Sequence, residues 1–324
     1  MRRRTLVATA LATGLGIRPS LARAAYPSRT LTLIVPFSAG SSIGINARLL
    51  QPHFERALGQ SIELQFDQGA GGMAGHLLGA AAVADGYTLT MASSALTTQP
   101  WLSRASSATP DDFAYVGQVT SLPSVLLVRA DSQLRALADL VATLRASPES
   151  LTTGTIVGWW APAIALARFV ARAAIKPRVV SSYYSGSDLV VTLQQGQLDF
   201  GVVGLADVGP SLNSGALRVL AVTSRVEALP TTPTFQAQGW NITTGWWLGL
   251  AAPRDTPPEV IARLDAALRE ALDSASLHGD FGRNGLSVDP LGAPAFRQLV
   301  LDEYQTTGAL LTSLGLNING RKPA

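Results

Sequence analysis

Short apolar segments alternate with longer amphipathic ones along most of this chain. In the first third, the apolar runs have the length and composition of buried strands, and the segments between them repeat apolar residues at helical spacing. The predicted strands here are 31–37, 61–66 and 87–92. The predicted helices are 45–58, which Gly59 ends, and the Ala-rich segment 73–84.

The same order of elements resumes in the middle of the chain. The predicted strands there are 125–128, 152–157, 179–183, 200–203 and 217–222. The predicted helices between them are 134–144, 164–173 and 189–195. Two more amphipathic helices are expected near the end, one opened by Thr256-Pro257-Pro258-Glu259 and one from about Pro294.

Strands that alternate with helices predict the α/β class, with mainly parallel sheets flanked by helices. A chain of 324 residues is long for one such sheet, so we expect two lobes. The expected division puts 25–122 and 246–324 in lobe 1 and 123–245 in lobe 2.

The first 24 residues have the pattern of an export signal. A basic start at 1–4 precedes an apolar stretch from Thr5 to Ile17, and Ala22-Arg23-Ala24 supplies the small residues that a signal peptidase accepts. We expect cleavage near Ala24 and a periplasmic mature protein. Arg3-Arg4 also resembles a twin-arginine signal, so the export route stays open, and a cytosolic helix is the alternative.

Removal of this segment changes the charge of the chain. The full sequence has 25 basic and 22 acidic residues, a net charge of +3. The segment holds five arginines and no acid, so 20 basic residues remain against 22 acids, a net charge of −2. This balance gives no support for nucleic-acid binding. Cysteine is absent, which excludes disulfides, a thiol nucleophile and Cys-ligated metals.

Glycine and serine are concentrated where the predicted strands end. In open α/β sheets, ligands bind beyond the carboxyl ends of the strands, and helix starts there offer free N–H groups. Neutral donors in several such loops would hold a carboxylate without a lysine or arginine; the alternative is that these are ordinary turn residues. The candidate ligand contacts are Phe37, Ser38, Gly40, Ser41, Ser42, Gly69, Ala70, Gly71, Gly72, Ser93, Ser94, Gly158, Trp159, Trp160, Tyr183 and Ser185.

Adjacent aromatic residues give one of these loops a different character. Trp159 and Trp160 follow a predicted strand, and Tyr183 and Tyr184 end the next one. Flat apolar side chains suit the wall of a ligand pocket, although packing between lobes would explain the tryptophans as well.

An enzymatic alternative rests on Gly40-Ser41-Ser42-Ile43-Gly44, which matches the G-x-S-x-G nucleophile elbow between a strand and a helix. A serine hydrolase would need a histidine later in the chain, and His278 is the only late candidate. The three histidines show no metal-ligand spacing, and no dinucleotide or phosphate-loop motif occurs, so no cofactor and no metal are expected. Binding without catalysis is therefore the favoured interpretation.

Several short motifs occur in an order that is typical of one protein family. They are Tyr26-Pro27-Ser28, LTLIVPFSAG at 31–40, Ala47-Arg48, Leu58-Gly59-Gln60, GAGGMAG at 69–75, DGYTL at 85–89, GQLD at 196–199, LRVLAVTS at 217–224, Leu229-Pro230 with Pro233-Thr234, Trp246, and GLAAP at 249–253. In these motifs the chain resembles the periplasmic solute-binding proteins of tripartite tricarboxylate transporters, the Bug family. The resemblance covers essentially all of the chain after the leader.

This resemblance implies a type II periplasmic-binding fold, with a ligand held between the lobes by the loop after the first strand, the GAGG loop and loops of the second lobe. It also implies a small carboxylate ligand, delivery to integral-membrane permease subunits, and a monomer without cofactor. A sensor that presents its ligand to a signalling receptor is an alternative that the sequence leaves open.

The chain departs from the family pattern at four places. Gly44 stands where an aspartate is common, and VGWWAPA at 157–163 replaces a polar loop. Tyr184 stands where a lysine is common, and Val203 where an acid is. These differences predict a site that is less polar and more aromatic than usual, which binds free amino acids poorly.

Overall fold

The computed structural model describes residues 26–103, 107–156, 161–183, 185–208, 211–212, 214–226, 229–243, 245–283, 286–318 and 320. The expected export signal lies outside the described residues. The strands are β1 (Leu31–Val35), β2 (Ile62–Phe66), β3 (Thr88–Ser93), β4 (Phe113–Leu122), β5 (Ser124–Arg129), β6 (Thr152–Ile156), β7 (Arg178–Tyr183), β8 (Phe200–Gly204), β9 (Leu217–Val222), β10 (Trp246–Pro253) and β11 (Leu291–Gly292). The helices are α1 (Ser42–Leu58), α2 (Met73–Ala80), α3 (Ala95–Leu102), α4 (Leu137–Ala146), α5 (Ala161–Ala173), α6 (Gly186–Gln194), α7 (Pro258–Leu272), α8 (Ala275–Arg283) and α9 (Ala293–Ser313).

These elements form two lobes, each with its own sheet and helices on its faces, which confirms the predicted fold class. The six-stranded lobe contains a sheet in the order β11-β4-β10-β3-β1-β2. The five-stranded lobe contains a sheet in the order β7-β6-β8-β5-β9. The strands of the first sheet come from 31–122 and 246–292, and those of the second from 124–222.

Both sheets are mixed, which corrects the expectation that they are mainly parallel. In the six-stranded sheet, β1 pairs parallel with β2 and β3, but β10 runs antiparallel to β3 and β4, and β11 antiparallel to β4. In the five-stranded sheet, β6 is parallel to β7 and β8, whereas β5 is antiparallel to β8 and β9. The sequence pattern missed β4 and β10, and their mutual pairing carries much of the antiparallel character.

Polar and small residues hid β4 from the apolar pattern. Gln118 and Thr120 are buried because their side chains donate to the carbonyls of Asp289 and Ser287, at 2.7 and 2.5 Å. Gly249 interrupts β10, and a Cβ there would lie 2.3 Å from the ring of Phe296. These residues are explained by contacts with residues that are distant in sequence, so a local sequence pattern does not predict the two strands.

Each lobe has its own apolar core. In the six-stranded lobe, α1 and α7 bury Leu50, Phe54 and Leu264 against the sheet. In the five-stranded lobe, Leu140 and Phe169 pack with the residues of α4, α5 and β8. Burial of such side chains contributes roughly 1.5–3 kcal/mol each, so either core is large enough to stabilise its lobe.

The chain passes between the lobes at one edge of each sheet. Because β10 is antiparallel to both β3 and β4, β4 ends at the same edge as β1 and β3. After β4 the chain continues through Pro123 into β5, and it returns through Gly245 into β10. A Cβ on Gly245 would lie 3.1 Å from the carbonyl oxygen of Leu122, so the two crossovers run side by side. The carboxyl edges of the two sheets therefore meet at these crossovers.

A second contact between the lobes joins α5 to α9. Ile164 is buried against Trp101, Tyr304 and Leu311, and one helical turn later Arg168 donates to the hydroxyls of Thr306 and Thr307, at 2.8 and 2.9 Å. This contact consists of Ile164 and Arg168 of the five-stranded lobe and of Trp101, Tyr304, Thr306, Thr307 and Leu311 of the six-stranded lobe.

The carboxyl group of Glu303 lies close to this contact. Glu303 is half-buried, and its carboxyl group accepts a hydrogen bond from Nε1 of Trp247. Burial raises the pKa of Glu303 to about 7, against the lowering effects of Trp247 and of the Arg168 guanidinium.

In the described parts of the chain, no helix combines the length and the apolar character needed to cross a bilayer.

Candidate functional site

The predicted site loops that the structure describes lie at the carboxyl edges of the two sheets. The loop 36–41 follows β1, the glycine loop 69–72 follows β2, Ser93 ends β3, and Ser94 follows it. Tyr183 ends β7, and Ser185 follows it. Gly158, Trp159, Trp160 and Tyr184 lie outside the described residues. The topology thus brings two groups of predicted loops to the edges where the lobes meet.

The loop after β1 is shaped by Ser41, which is the N-cap of α1. Its Oγ accepts from the N–H of Gly44 at 3.1 Å and donates to the carbonyl of Ser38 at 2.6 Å. The Ser41 hydroxyl is therefore used within the loop. The N–H groups of Ser42 and Ile43 meet no acceptor among the described residues, and α1 has no acid in its first turn. This helix start is available to an anion.

Gly44 is required by the fold of this same loop. A Cβ at Gly44 would lie 2.6 Å from the carbonyl oxygens of both Ser38 and Ala39. The loop lies so close to the first turn of α1 that no side chain fits. Any larger residue at position 44 would therefore force this loop to move.

Arg48 holds the loop from the next turn of α1. Its guanidinium donates to the carbonyl of Ala39 at 2.7 Å and lies 5.2 Å from the ring centre of Phe66. The cation is thus occupied by backbone and by an aromatic ring. It adds positive potential near the loop without reaching into the edge as a direct ligand contact.

The glycine loop packs against the loop after β1. Gly69, Gly71 and Gly72 have φ values of 154°, 66° and 94°, and Ala70 between them has φ 46°. A Cβ on Gly72 would lie 2.7 Å from the ring of Phe37. The left-handed backbone and the close approach both require glycine at 72. Phe37 is thus a packing partner for the glycine loop.

Gln99 was not singled out from the sequence, yet it lies at this loop. Its side-chain amide would be 3.2 Å from a Cβ on Gly71. Gln99 is on α3, one of the helices that the apolar pattern missed, and it is half-buried. An amide here adds both a donor and an acceptor beside the glycine loop.

Ser93, which ends β3, and Ser94, which follows it, differ in their hydrogen bonding. Ser94 starts α3, and its carbonyl accepts from the N–H and the hydroxyl of Thr97, at 3.1 and 2.7 Å. Ser93 has no solvent exposure, and its Oγ has no hydrogen-bond partner among the described residues.

In the five-stranded lobe, Ser185 repeats the capping role of Ser41. Its Oγ accepts from the N–H of Asp188 at 3.2 Å and donates to the carboxylate of the same residue at 2.8 Å. Tyr183 is half-buried, and its ring lies over Gly154, where a Cβ would be 2.4 Å away. The ring therefore packs partly on the face of the sheet that α6 covers.

Asp207 is a candidate that the sequence reasoning missed. It follows β8, and its carboxylate lies over Gly186 in the first turn of α6, where a Cβ would be 2.1 Å away. Burial raises the pKa of Asp207, while the Ser187 hydroxyl and the Gly204 amide oppose this shift. The sequence contains a signal for it, since an acid shortly after the end of a predicted strand is a pattern typical of binding sites.

His76 lies beneath the glycine loop and is fully buried. Burial lowers its pKa to about 3, although the carbonyls of Gly72 and Met91 oppose the shift. Neither ring nitrogen has a hydrogen-bond partner of good geometry among the described residues. The imidazole is therefore a neutral packing group at physiological pH.

The geometry around Ser42 differs from that of a hydrolase. Ser42 is exposed at the start of α1, and His53 lies eleven residues later in the same helix, about 16 Å along its axis. His278 bonds through Nε2 to the carbonyl of Leu272 at 2.8 Å. In the described structure no imidazole is hydrogen-bonded to Ser42.

Neither the surface depressions nor the metal-ligating side chains among the described residues indicate a different site. The depressions, of about 320, 310 and 530 Å³, lie beside Trp240, beside Asp265 and around Pro230. Among the described residues, no group of three or more His, Asp or Glu side chains is placed to hold a metal ion. The shared edge of the sheets, and not one of these depressions, unites the predicted loops.

Comparison with known proteins gives a consistent result. The sequence model described as "Tripartite tricarboxylate transporter family receptor" matches residues 46–316. Protein BugT of Bordetella pertussis is 28% identical over 309 residues, which cover 94% of each chain.

Solved structures share the fold. A TctC solute binding protein from Polaromonas, without ligand, superposes with a TM-score of 0.84 at 24% identity, over 89% of this chain and 99% of that one. MatC from Rhodopseudomonas palustris with bound malate superposes with a TM-score of 0.65 at 25% identity, over 88% of this chain and 100% of that one. The chain belongs to the family of tripartite tricarboxylate transporter receptors, as its sequence motifs indicated.

Proposed function

We propose that this chain is a periplasmic solute-binding protein. It captures a small organic carboxylate between its lobes and delivers it to the membrane permease of a tripartite tricarboxylate-type transporter. In this proposal the leader 1–24 is removed on export, and the mature protein acts as a monomer. Lobe 1 comprises 25–122 and 246–324, and lobe 2 comprises 123–245.

The observation that carries this proposal is the chemistry of the edge formed by α1 and the glycine loop. The N–H groups of Ser42 and Ile43 are open, and the first turns of α1, α2 and α3 contain no acid. A helix start of this kind stabilises a carboxylate through N–H donors and a partial positive charge. Gly40 leaves open space beside it, because a Cβ there would meet nothing within 4 Å.

A related structure supports the choice of ligand class. MatC, which shares the fold over nearly the whole chain, was solved with bound malate. Malate is a small organic acid, and a donor-rich edge without acids suits one of its carboxylates. We therefore place one carboxylate of the ligand at this edge.

The remaining body of the ligand is proposed to be apolar and aromatic in character. Trp159 and Trp160 follow β6 in the sequence, Tyr183 ends β7, and aromatic side chains at the carboxyl edge of the five-stranded sheet would cover the ligand. The loss of either tryptophan should weaken the binding of an aromatic acid at least about tenfold, which corresponds to about 1.4 kcal/mol. Trp159→Ala and Trp160→Ala test this part by calorimetry.

The protein is proposed to bind without catalysis. Ser42 contributes its N–H group at the helix start and not a nucleophile. Ser42→Ala keeps this N–H group and removes only the exposed hydroxyl, so it should alter carboxylate affinity only through the lost hydroxyl donor, and there is no esterase activity for it to remove. Ester hydrolysis that disappears in Ser42→Ala would contradict the proposal.

The direct test is a thermal-shift and calorimetric screen of aliphatic and aromatic carboxylates with the mature protein, since a ligand that binds only the native state raises its apparent stability. Gly40→Val should weaken binding at least tenfold by covering the open edge. Gly282→Val is the matched control, because a Cβ at Gly282 also meets nothing within 4 Å, and Gly282 is on α8, which follows α7 and not a strand that ends at this edge.

Two outcomes would contradict the proposal. One is the absence of binding to any carboxylate. The other is equal weakening by Gly40→Val and Gly282→Val, which would show that the open edge of α1 is not the site.

A further inference from the structure

We propose that Asp207 determines ligand specificity: it selects carboxylates whose opposite end carries a hydrogen-bond donor and disfavours those with a second carboxylate there. This inference rests on the proposed function, which places the first carboxylate at the edge of the six-stranded lobe. It concerns the other end of the same ligand.

The position of Asp207 is fixed by the fold. β6, β7 and β8 end at the same edge of the five-stranded sheet, because β6 pairs parallel with both neighbours. Asp207 lies three residues beyond the end of β8 and contacts the start of α6, which follows β7. The side chain therefore joins two of the loops that surround the lobe-2 side of the cleft.

Gly186 shows that this contact is part of the fold. A Cβ at Gly186 would lie 2.1 Å from Oδ2 and 2.5 Å from Cγ of Asp207. Only glycine leaves room for the carboxylate over the first turn of α6. The position that a ligand carboxylate would take at a helix start is thus filled by the protein's own acid.

A second acid strengthens the effect. Asp188 is in the first turn of α6, and its carboxylate is bonded to Ser185. No Lys or Arg among the described residues forms an ion pair with Asp188 or Asp207. Two carboxylates without a cation form a region that repels an anion and attracts a donor.

Asp207 is also accessible to a ligand. It is half-buried rather than enclosed. The Ser187 hydroxyl and the Gly204 amide interact with it, and a carboxylate has about four acceptor positions. A ligand hydroxyl, ammonium or amide N–H can therefore bond to the remaining positions.

The test uses ligands of equal length that differ only at one end. The aliphatic series is butanoate, 4-hydroxybutanoate, 4-aminobutanoate and succinate. The aromatic series is 4-(hydroxymethyl)benzoate, 4-(aminomethyl)benzoate and terephthalate. In the series that binds, the wild type should bind the hydroxyl or amino compound at least tenfold more tightly than the diacid.

Asp207→Asn should reduce this preference to about threefold or less, chiefly by improving diacid binding. The matched control is Asp199→Asn. Asp199 is the acid just before β8, bonded to the N–H and hydroxyl of Thr152 at the opposite edge of the sheet. It should leave the ratio of affinities unchanged, and thermal melts report whether each variant is folded.

Three results would overturn the inference. One is tighter binding of the diacid by the wild type, which needs no variant. Another is an unchanged ratio in folded Asp207→Asn, and the third is an equal change in Asp199→Asn. In each of these cases carboxylates still bind, so the proposed function survives. If no carboxylate of either series binds, the proposed function fails, and this inference fails with it.

Discussion

The two lobes build their carboxyl edges from the same local motif and give them opposite electrostatic character. In each lobe a strand ends, a serine caps the next helix, and a glycine lets a neighbouring group approach its first turn. Ser41 bonds to a backbone carbonyl, and the first turn of α1 contains no acid. Ser185 bonds to Asp188, and Asp207 covers the same helix start.

This difference shows that the strand–loop–helix motif fixes geometry but not ligand chemistry. Gly44 makes room for backbone carbonyls, whereas Gly186 makes room for a carboxylate. The choice of the approaching group decides whether a helix start remains free for an anion or is already neutralised. The asymmetry would orient a ligand that has one acidic end.

The largest effect is expected from an acid placed at Gly44. In Gly44→Asp, the Cβ would meet two carbonyl oxygens at 2.6 Å, so the loop after β1 must move. Asp is otherwise favourable in a first turn, but the steric clash should cost about 3 kcal/mol of unfolding free energy. Urea unfolding measures this loss.

Gly40→Asp introduces the same negative charge into this loop without the steric clash expected for Gly44→Asp. A Cβ at Gly40 meets no neighbour, so the unfolding free energy should change by less than about 0.5 kcal/mol. Carboxylate affinity should still fall at least tenfold, because the edge now carries a negative charge. Equal destabilisation by the two variants would refute the steric account of Gly44.

The next effect concerns the contact through which the lobes touch. Glu303→Gln replaces a carboxyl group whose raised pKa makes its ionisation unfavourable in the folded state, so the neutral amide avoids that loss. We expect Glu303→Gln to be more stable than wild type at pH 7 by up to about 3 kcal/mol, at 1.36 kcal/mol per unit of pKa. Arg168→Met should instead cost about 1 kcal/mol, since Glu303 has a pKa of about 7 and can take up a proton.

The pH dependence of these two variants is the check. A carboxyl group whose folded pKa is raised contributes stability that is complete below its unfolded pKa of 4.5 and is lost as the pH rises through 7. Because Arg168 lowers the pKa of Glu303, Arg168→Met should become less stable relative to wild type between pH 6 and pH 8. Equal changes in stability for both variants at every pH would contradict this asymmetry.

A smaller effect follows from His76, and it concerns the six-stranded lobe alone, since the sequence from 123 to 245 contains no histidine. Burial lowers the pKa of His76 from 6.5 to about 3, so its stabilisation is complete above pH 6.5 and is lost as the pH falls toward 3. From pH 7.5 to pH 5 the contribution of His76 to the unfolding free energy should fall by about 2 kcal/mol, at 1.36 kcal/mol per pH unit, while Glu303 contributes in the opposite direction. His76→Leu lacks the His76 contribution, so its stability relative to wild type should rise by about 2 kcal/mol over this range; an unchanged difference between the two proteins would assign the pH dependence to other groups.

Hydrogen exchange would localise the effect of acid. The amides around the glycine loop should lose protection between pH 7.5 and pH 5, after correction for the intrinsic exchange rate. The amides of β6 and β8 should not. A uniform loss over both lobes would show that the acid response does not begin at His76.

The sequence predicted the α/β order because local patterns carry it. Leu50, Phe54 and Leu58 repeat at helical spacing and line the core side of α1, and Gly59 ends that helix with φ 72°. β4 and β10 escaped prediction because their polar and glycine residues are explained only by contacts with the segment 286–296. These missed strands are why the sheets are mixed.

The candidate site was predictable as a set of loops but not as an arrangement of charges. Glycine and serine after strands located the edges, since turn chemistry is local. That Ser41 serves as a cap, that Gly44 excludes a side chain, and that Asp207 reaches Gly186 depend on distances between segments. The ligand roles of Trp159 and Trp160 stay a prediction.

The smallest effects compare the two capping serines directly. Ser41→Ala and Ser185→Ala each remove an N-cap and should each cost about 1 kcal/mol of unfolding free energy. Their effects on binding should differ, because Ser41 also fixes the carbonyl of Ser38 and hence the loop beside the open edge. Calorimetry with butanoate, or with benzoate if the aromatic series binds, should show a loss of threefold or more for Ser41→Ala and little change for Ser185→Ala. Such a monocarboxylate reports only on its acidic end, so weakening confined to Ser185→Ala would mean that the carboxylate lies in the five-stranded lobe and that the orientation is reversed.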